Sequence, residues 1–193
     1  GFKLVATNDI ELELEILTQV GTDFIVIDGF EGGTYSSPPI IADDFGLPSF
    51  YVLQRAIQYL EKVGMRDSVS LIVGGGLRTP GDMLKALAFG ADAVYSASAV
   101  MMATTHGQLD KSIPFEPIPH IVWSDSPRAD DFNVDLGAQN LANFLEACTE
   151  EMKEAARALG KNRVRSINRD DLIARTPEAA QIFQLPEAWL PVA

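Results

Sequence analysis

The chain has 193 residues, 47% hydrophobic and 22% charged, with 27 acidic against 15 basic side chains and a net charge of −12. That supplies one substantial core. It also argues against nucleic-acid binding, which needs clustered Lys and Arg to neutralise phosphates. The single cysteine, Cys148, excludes an intrachain disulfide, a cysteine zinc cage and a four-cysteine iron–sulfur cluster. It falls in a helical pattern and reads as a buried small apolar residue. No metal site is expected. No run of about eighteen apolar residues is present to span a membrane. No signal-peptide pattern occurs either, so a cytoplasmic location is expected.

Phe2 to Ala6 reads as a short strand, and a start at Gly1 inside it suggests a fragment or processed product of a longer protein. Asn8 or Asp9 opens an acidic helix, in which Ile10, Leu12, Leu14, Ile16, Leu17 and Val20 are expected to form a partly buried face, and Gly21 ends it. Phe24 to Ile27 is a continuous apolar run, the mark of a strand covered on both faces. Asp28 to Pro39 is a Gly/Ser/Pro loop, followed by a helix from Leu47 or Pro48 to Val63 that stops at Gly64. Val69 to Val73 is a third strand, Thr79 to Phe89 its helix, Ala93 to Tyr95 a fourth strand, and Ser98 to Thr105 a short helix. Four strand–helix units in a row predict parallel strands with right-handed crossovers.

Gly107 to Asp135 is irregular, with Pro114, Pro117, Pro119 and Pro127, and reads as a surface excursion. Leu136 to Leu159 has the apolar spacing of a long amphipathic helix ended by Gly160. Two short helices are expected near Arg169–Arg175 and Pro177–Phe183, and the tail through Trp189 is expected to pack on the surface. The division that follows is residues 1–106 as one half of a β/α barrel and 107–193 as the excursion and C-terminal helices packed on it. An open flavodoxin-like sheet is the competing architecture.

Two turns carry the chemistry. Ser70 to Val73 runs through Gly74, Gly75 and Gly76 into a helix that Thr79 can N-cap and Pro80 can begin. Glycines there let backbone approach an oxyanion, and a helix N-terminus adds free N–H groups. The next strand ends in Tyr95-Ser96-Ala97-Ser98-Ala99, a second small-residue turn. Two consecutive strands with such tops form one phosphate cradle in the late strands of a β/α barrel. Tight strand-to-helix connections alone also select glycine, and only the pairing of the two turns favours the phosphate reading.

Three segments, Lys3-Leu4-Val5, Asp28-Gly29-Phe30-Glu31-Gly32-Gly33-Thr34 and Val73 through Gly81-Asp82 to Val94, together resemble the FMN-binding synthase domain of glutamate synthase, particularly its shorter relatives. The resemblance covers residues 1 to about 103, with a weaker echo at Phe132–Asp135 and Leu141–Phe144. It implies the C-terminal half of a TIM-type (β/α) barrel with extra C-terminal helices. It also implies FMN, with its phosphate held by Gly74, Gly75, Gly76, Ala97 and Ser98; Arg78 would either contact that phosphate or cap a surface turn. Lys3 would be the catalytic cation near the flavin N1 and C2 carbonyl, where a fixed charge favours the reduced anionic ring. The alternative for Lys3 is an interior lysine paired with Asp28. Gly32, Gly33 and Thr34 would border the substrate. In the parent, reduced flavin would deliver hydride to an imino acid made from a 2-oxo acid and ammonia. The ammonia would come from a partner or solvent, since no glutaminase nucleophile is seen in this chain.

The departures from the family pattern are specific. Ala103-Thr104-Thr105-His106-Gly107 stands where larger glutamate synthases carry a cysteine segment, so no iron–sulfur cluster is expected from this chain. Ala97-Ser98 replaces the usual Gly-Thr, Gly74 stands where Asp is frequent, and Phe30-Glu31 replaces His or Tyr and Asp. The hydroxy-acid oxidases share the barrel but need a His base at the end of Phe24–Asp28, where there is none; His106 and His120 read as surface or structural residues. The expected partners are a small-molecule substrate, an electron-donor protein, and either a second copy or the N-terminal half of the barrel. The rival functions are a flavin-free phosphate barrel such as a sugar-phosphate isomerase, and a non-catalytic half-barrel.

Overall fold

The computed structural model describes residues 1–33, 37, 38, 40, 44–108 and 120–190. Four strands, β1 (Phe2–Val5), β2 (Phe24–Asp28), β3 (Ser70–Gly74) and β4 (Ala93–Val94), lie in the order β1-β2-β3-β4, every neighbour parallel. Helices α1 (Ile10–Gln19), α2 (Ser49–Lys62), α3 (Pro80–Phe89) and α4 (Ser98–Thr104) follow the four strands in turn. The expected four parallel β/α units are therefore present in sequential order.

The period of two in the strands explains the layering. Ile25, Ile27, Leu71 and Val73 point to one face and are buried against Ile10, Leu14, Val52, Leu53, Ala56 and Leu60 of α1 and α2. The register puts Lys3, Val26, Ile72 and Ala93 in one row on the opposite face, and Val5, Asp28 and Gly74 in the next. Val5 is 61% exposed there. The outer edges of β1 and β4 carry no strand partner among the described residues.

Helix α5 (Val134–Ala158) lies along α3 and α4. Its tail folds back: Ala156 and Ile167 join Leu84 and Ala88 of α3 in a second small core. The basic side chain of Arg169 then pins the C-terminal segment. Its guanidinium sits 5.5 Å from the Phe89 ring centroid, donates to Gln54 Oε1 at 2.7 Å, and donates to the Phe183 carbonyl at the end of α6 (Pro177–Phe183). Phe183 stacks on Tyr51 and Phe89 at 5.3 and 5.2 Å.

Three expectations change. The helix expected at Arg169–Arg175 is a single 3-10 turn, Arg169–Asp171, because Asn168 and Asp171 cap each other and close it, leaving Leu172 extended. Ala174 instead bridges Glu187. The acidic helix does not bury all its apolar residues: Ile10, Leu14 and Leu17 are buried, while Leu12, Ile16 and Val20 are 58%, 56% and 64% exposed. Trp189 and Leu190 of the tail are 53% and 57% exposed rather than packed down. Pro114, Pro117 and Pro119 of the expected excursion lie outside the described residues.

Candidate functional site

The C-terminal ends of the four strands open into one cleft of about 930 Å³. Lys3, Gly32, Gly74, Gly75, Gly76, Arg78, Ala97 and Ser98 all line it. Gly33 is not among its lining residues, and Thr34 lies outside the described residues.

On the floor, Lys3 Nζ lies 2.7 Å from Asp28 Oδ2. Asp28 ends β2 and is hemmed by two glycines: a Cβ on Gly32 would stand 2.2 Å from its Oδ1, and one on Gly74 3.1 Å. Glycine at both positions lets the 3-10 turn Phe30–Gly32 and the end of β3 close on that carboxylate. The pairing with Asp28 fixes the lysine at the cleft; Lys3 remains mostly solvent-accessible.

The turn after β3 is built by local chemistry. Gly75 and Gly76 have φ of +91° and +70°, conformations that residues with a Cβ rarely adopt. A Cβ on Gly75 would lie 2.8 Å from the Gly29 amide nitrogen and 2.8 Å from Ser49 Oγ. These two glycines are thus required by packing within the chain itself. No acceptor for the Gly75 and Gly76 amides is found among the described residues. The start of α3, by contrast, is engaged. Thr79 accepts from Asp82 N at 3.2 Å, while Asp82 Oδ2 accepts from Thr79 N at 3.2 Å and Thr79 Oγ1 at 2.9 Å. Burial works against ionisation of Asp82, but the Lys85 ammonium and the Thr79 donors outweigh it and hold its carboxyl below the ordinary value. The chain's own carboxylate therefore occupies this helix N-terminus.

The turn after β4 is looser. Ala97 has φ −107° and ψ −69°, open to any L-residue, and provides no side-chain cap to α4. Ser96 Oγ donates to the Leu77 carbonyl at 3.1 Å, tying the two turns together.

Two groups of lining residues had no signal in the sequence. Glu31, which lines the cleft, accepts from Ser49 N at 3.2 Å and from Ser49 Oγ at 3.0 Å, capping α2 from eighteen residues away. Ser49 Oγ is also 2.8 Å from the carbonyls of Gly74 and Gly75. Only a start at Pro48-Ser49 could have hinted at a capped helix, and it does not name the remote acid. Phe144, Leu145 and Cys148 of α5 close the far wall. Burial pushes the Cys148 thiol up, with Glu151 adding to it.

Comparison with known proteins decides the family. The family described as the conserved region in glutamate synthase matches residues 1–162. The chain belongs to the glutamate synthase family. It is 32% identical to the glutamate synthase large subunit-like protein of Rhizobium meliloti (strain 1021), over 91% of this chain and 44% of that protein. It is 33% identical to an archaeal glutamate synthase [NADPH] of Archaeoglobus fulgidus, over 88% of this chain and 34% of that protein. The chain thus spans less than half the length of these curated relatives. Among solved structures, a flavocytochrome b2 variant with sulfite bound aligns with 99% of this chain and 42% of its own, at a TM-score of 0.59 and 16% identity. That likeness concerns the fold: a parallel α/β arrangement found within a larger chain. Among the described residues no helix is long and apolar enough to cross a membrane.

Proposed function

We propose that this chain is the C-terminal half of an FMN-dependent (β/α) barrel of glutamate synthase type, with residues 1–106 forming the last four strand–helix units. The complete protein would reduce a 2-imino acid, formed from 2-oxoglutarate and ammonia, to the amino acid. The observation that carries this reading is the convergence of Lys3, Gly32, Gly74–Gly76, Arg78, Ala97 and Ser98 on one cleft in a chain of this family.

The residues present fit the cofactor. The unengaged amides of Gly75 and Gly76, with the Ala97–Ser98 turn and Arg78 beside them, would hold its phosphate. Lys3, oriented by Asp28, would hold positive charge against the N1–C2 edge of the ring. FMN, when bound, supplies the hydride. Gly32, with Gly33 and Thr34 beyond it, would border the substrate. An electron-donor protein and a source of ammonia complete the reaction from outside this chain.

The test is spectroscopic and calorimetric. Full-length protein carrying these residues should show a flavin absorbance band, and Gly76→Val should abolish binding of FMN measured by titration calorimetry. A protein without the band that still binds phosphate through the two turns would support a flavin-free barrel instead. Unchanged affinity in Gly76→Val would place the anion elsewhere.

A further inference from the structure

We infer that Ser49, held in place by Glu31, is a positioning residue for the phosphate end of the flavin: its hydroxyl fixes the orientation of the two peptides whose N–H groups would take that phosphate. This rests on the FMN reading above.

Ser49 opens α2 and is 1% exposed, so it stands behind the turn and out of reach of a ligand. Its Oγ lies 2.8 Å from the carbonyl oxygen of Gly74 and 2.8 Å from that of Gly75. These belong to two successive peptides. The Gly74 carbonyl shares its peptide with the Gly75 N–H, and the Gly75 carbonyl shares its own with the Gly76 N–H. In a trans peptide the C=O and N–H point opposite ways, and no peptide bond among the described residues is cis. Both N–H groups are therefore turned away from Ser49.

The glycines give this turn no fixed orientation of their own. Gly75 and Gly76 accept φ of either sign at little cost, so a peptide here can turn over and present its carbonyl where its N–H now stands. A carbonyl in that place would repel a phosphate. The Ser49 hydroxyl opposes the turned-over state by donating to the inward carbonyls, with one proton to divide between them. The Gly74 carbonyl also accepts from Gly29 N at 3.1 Å, whereas no backbone N–H among the described residues reaches the Gly75 carbonyl. The Gly75–Gly76 peptide therefore depends more on Ser49.

Glu31 holds the serine. Its carboxylate accepts from Ser49 N at 3.2 Å and lies 3.0 Å from Ser49 Oγ. Three oxygens thus surround one hydroxyl proton, and the firm hold of Glu31 is the Ser49 N–H. The same side chain packs on the turn: a Cβ on Gly76 would stand 3.1 Å from Glu31 Cβ. A Cβ on Gly29 would stand 2.0 Å from Ser49 Oγ and 2.3 Å from Glu31 Oε2. Glycines at 29, 75 and 76 leave room for the pair. A helix cap alone would account for the bond from Ser49 N, but not for a buried hydroxyl set between two glycine carbonyls.

The test is the ratio of FMN to riboflavin affinity, measured by titration calorimetry on full-length protein freed of flavin. The two ligands differ by the phosphate, so a general loosening of the fold lowers both affinities together and leaves the ratio unchanged. Ser49→Ala should lower the ratio about tenfold, the worth of one net hydrogen bond, with riboflavin affinity little altered. Glu31→Ala should give a lower ratio than Glu31→Gln, which keeps an acceptor for Ser49 N. Both Glu31 variants remove the same charge, so the difference between them measures the hold on Ser49. If Ser49→Ala does not fold, that pair decides, and equal ratios overturn the inference. A ratio unchanged in Ser49→Ala but lost in Gly76→Val would overturn it and leave the flavin site standing. Equal losses for both ligands in Ser49→Ala would make the pair a helix cap only, which also overturns it. Wild-type protein that binds FMN no better than riboflavin would remove the phosphate seat and this inference together.

Discussion

The two turns that roof the cleft are both built of small residues, glycines in one and Ser and Ala in the other, and are stabilised in different ways. The turn after β3 is over-determined: two glycines at positive φ, a reciprocal Thr79–Asp82 cap, Pro80 in the first helical turn, and Gly29, Glu31 and Ser49 packed behind it. The turn after β4 follows a strand of two residues, enters a helix of seven, and has no side-chain cap. Its order comes from α5, which packs along α4, and from the Ser96–Leu77 bond. The first turn combines determinants of its own with distant packing, whereas the second has no side-chain cap or positive-φ glycine of its own and takes its order from other segments. A site with one rigid and one dependent wall would hold the proposed anion seat fixed and leave the opposite wall adjustable by whatever packs on α4 and α5.

The largest contrast should come from adding a methyl to the rigid turn. Gly75→Ala places a Cβ 2.8 Å from backbone at Gly29 and forces an L-residue to φ +91°. Strain and displacement together should cost about 3 kcal/mol, read as a shift in the urea midpoint. A loss under about 1 kcal/mol would mean that the turn yields easily, and the contrast with the second turn would disappear.

Next in size is the cap. Thr79→Ala removes the acceptor for Asp82 N and one donor to its carboxylate, and should cost about 1 kcal/mol, with Thr79→Ser close to neutral. Equal losses for the two variants would show that the threonine methyl, not the hydroxyl, carries the effect.

Smaller still is a pH effect confined to the first turn. The folded-state pKa of Asp82 is held below its unfolded value. Its contribution is therefore fully present above the ordinary carboxylate pKa, about 4, and is lost as pH falls through the lowered folded value. The amide resonances of Arg78 and Thr79, which face Asp82 Oδ2, should shift in that acid range while the Ala97 amide stays still. In Asp82→Asn the shift should vanish and stability should depend less steeply on pH. An Ala97 amide that moves equally would mean that the two turns titrate as one unit.

What the sequence revealed divides along the same line. The first turn was readable in part because several of its determinants lie within about ten residues: the glycines, Thr79, Pro80 and Asp82 act locally, while Gly29, Glu31 and Ser49 packed behind them do not. The four parallel strands were readable for a related reason, since continuous apolar runs such as Phe24–Ile27 fit few other structures. The Glu31–Ser49 cap was not readable, because it joins groups eighteen residues apart through a loop whose path no periodicity dictates. Neither was the α5 wall: Phe144, Leu145 and Cys148 have the spacing of any amphipathic helix, which shows that a face is buried without naming what it meets. The exposed stripe on α1 misled for the opposite reason. Six apolar residues in one helix imply burial, but the surface that would cover three of them is not supplied by the described chain.

The smallest expected effect is the mirror of the first, taking a methyl out of the dependent turn. Ala97 already sits in a conformation that any residue adopts, so glycine relieves no strain there. Removing the side chain loosens the unfolded chain, a cost of about 0.5–1 kcal/mol. Glycine is also the better residue ahead of a helix, which offsets part of that cost. The net change in stability should therefore stay within about 0.5 kcal/mol, against about 3 for the converse change at Gly75. Affinity should move more than stability, because the Ala97 methyl lines the cleft beside the proposed anion seat. Titration of full-length Ala97→Gly with FMN should give tighter binding at unchanged Tm. Weaker binding would mean that the methyl supports the second turn rather than crowding the ligand, and that this wall is more rigid than its lack of caps implies.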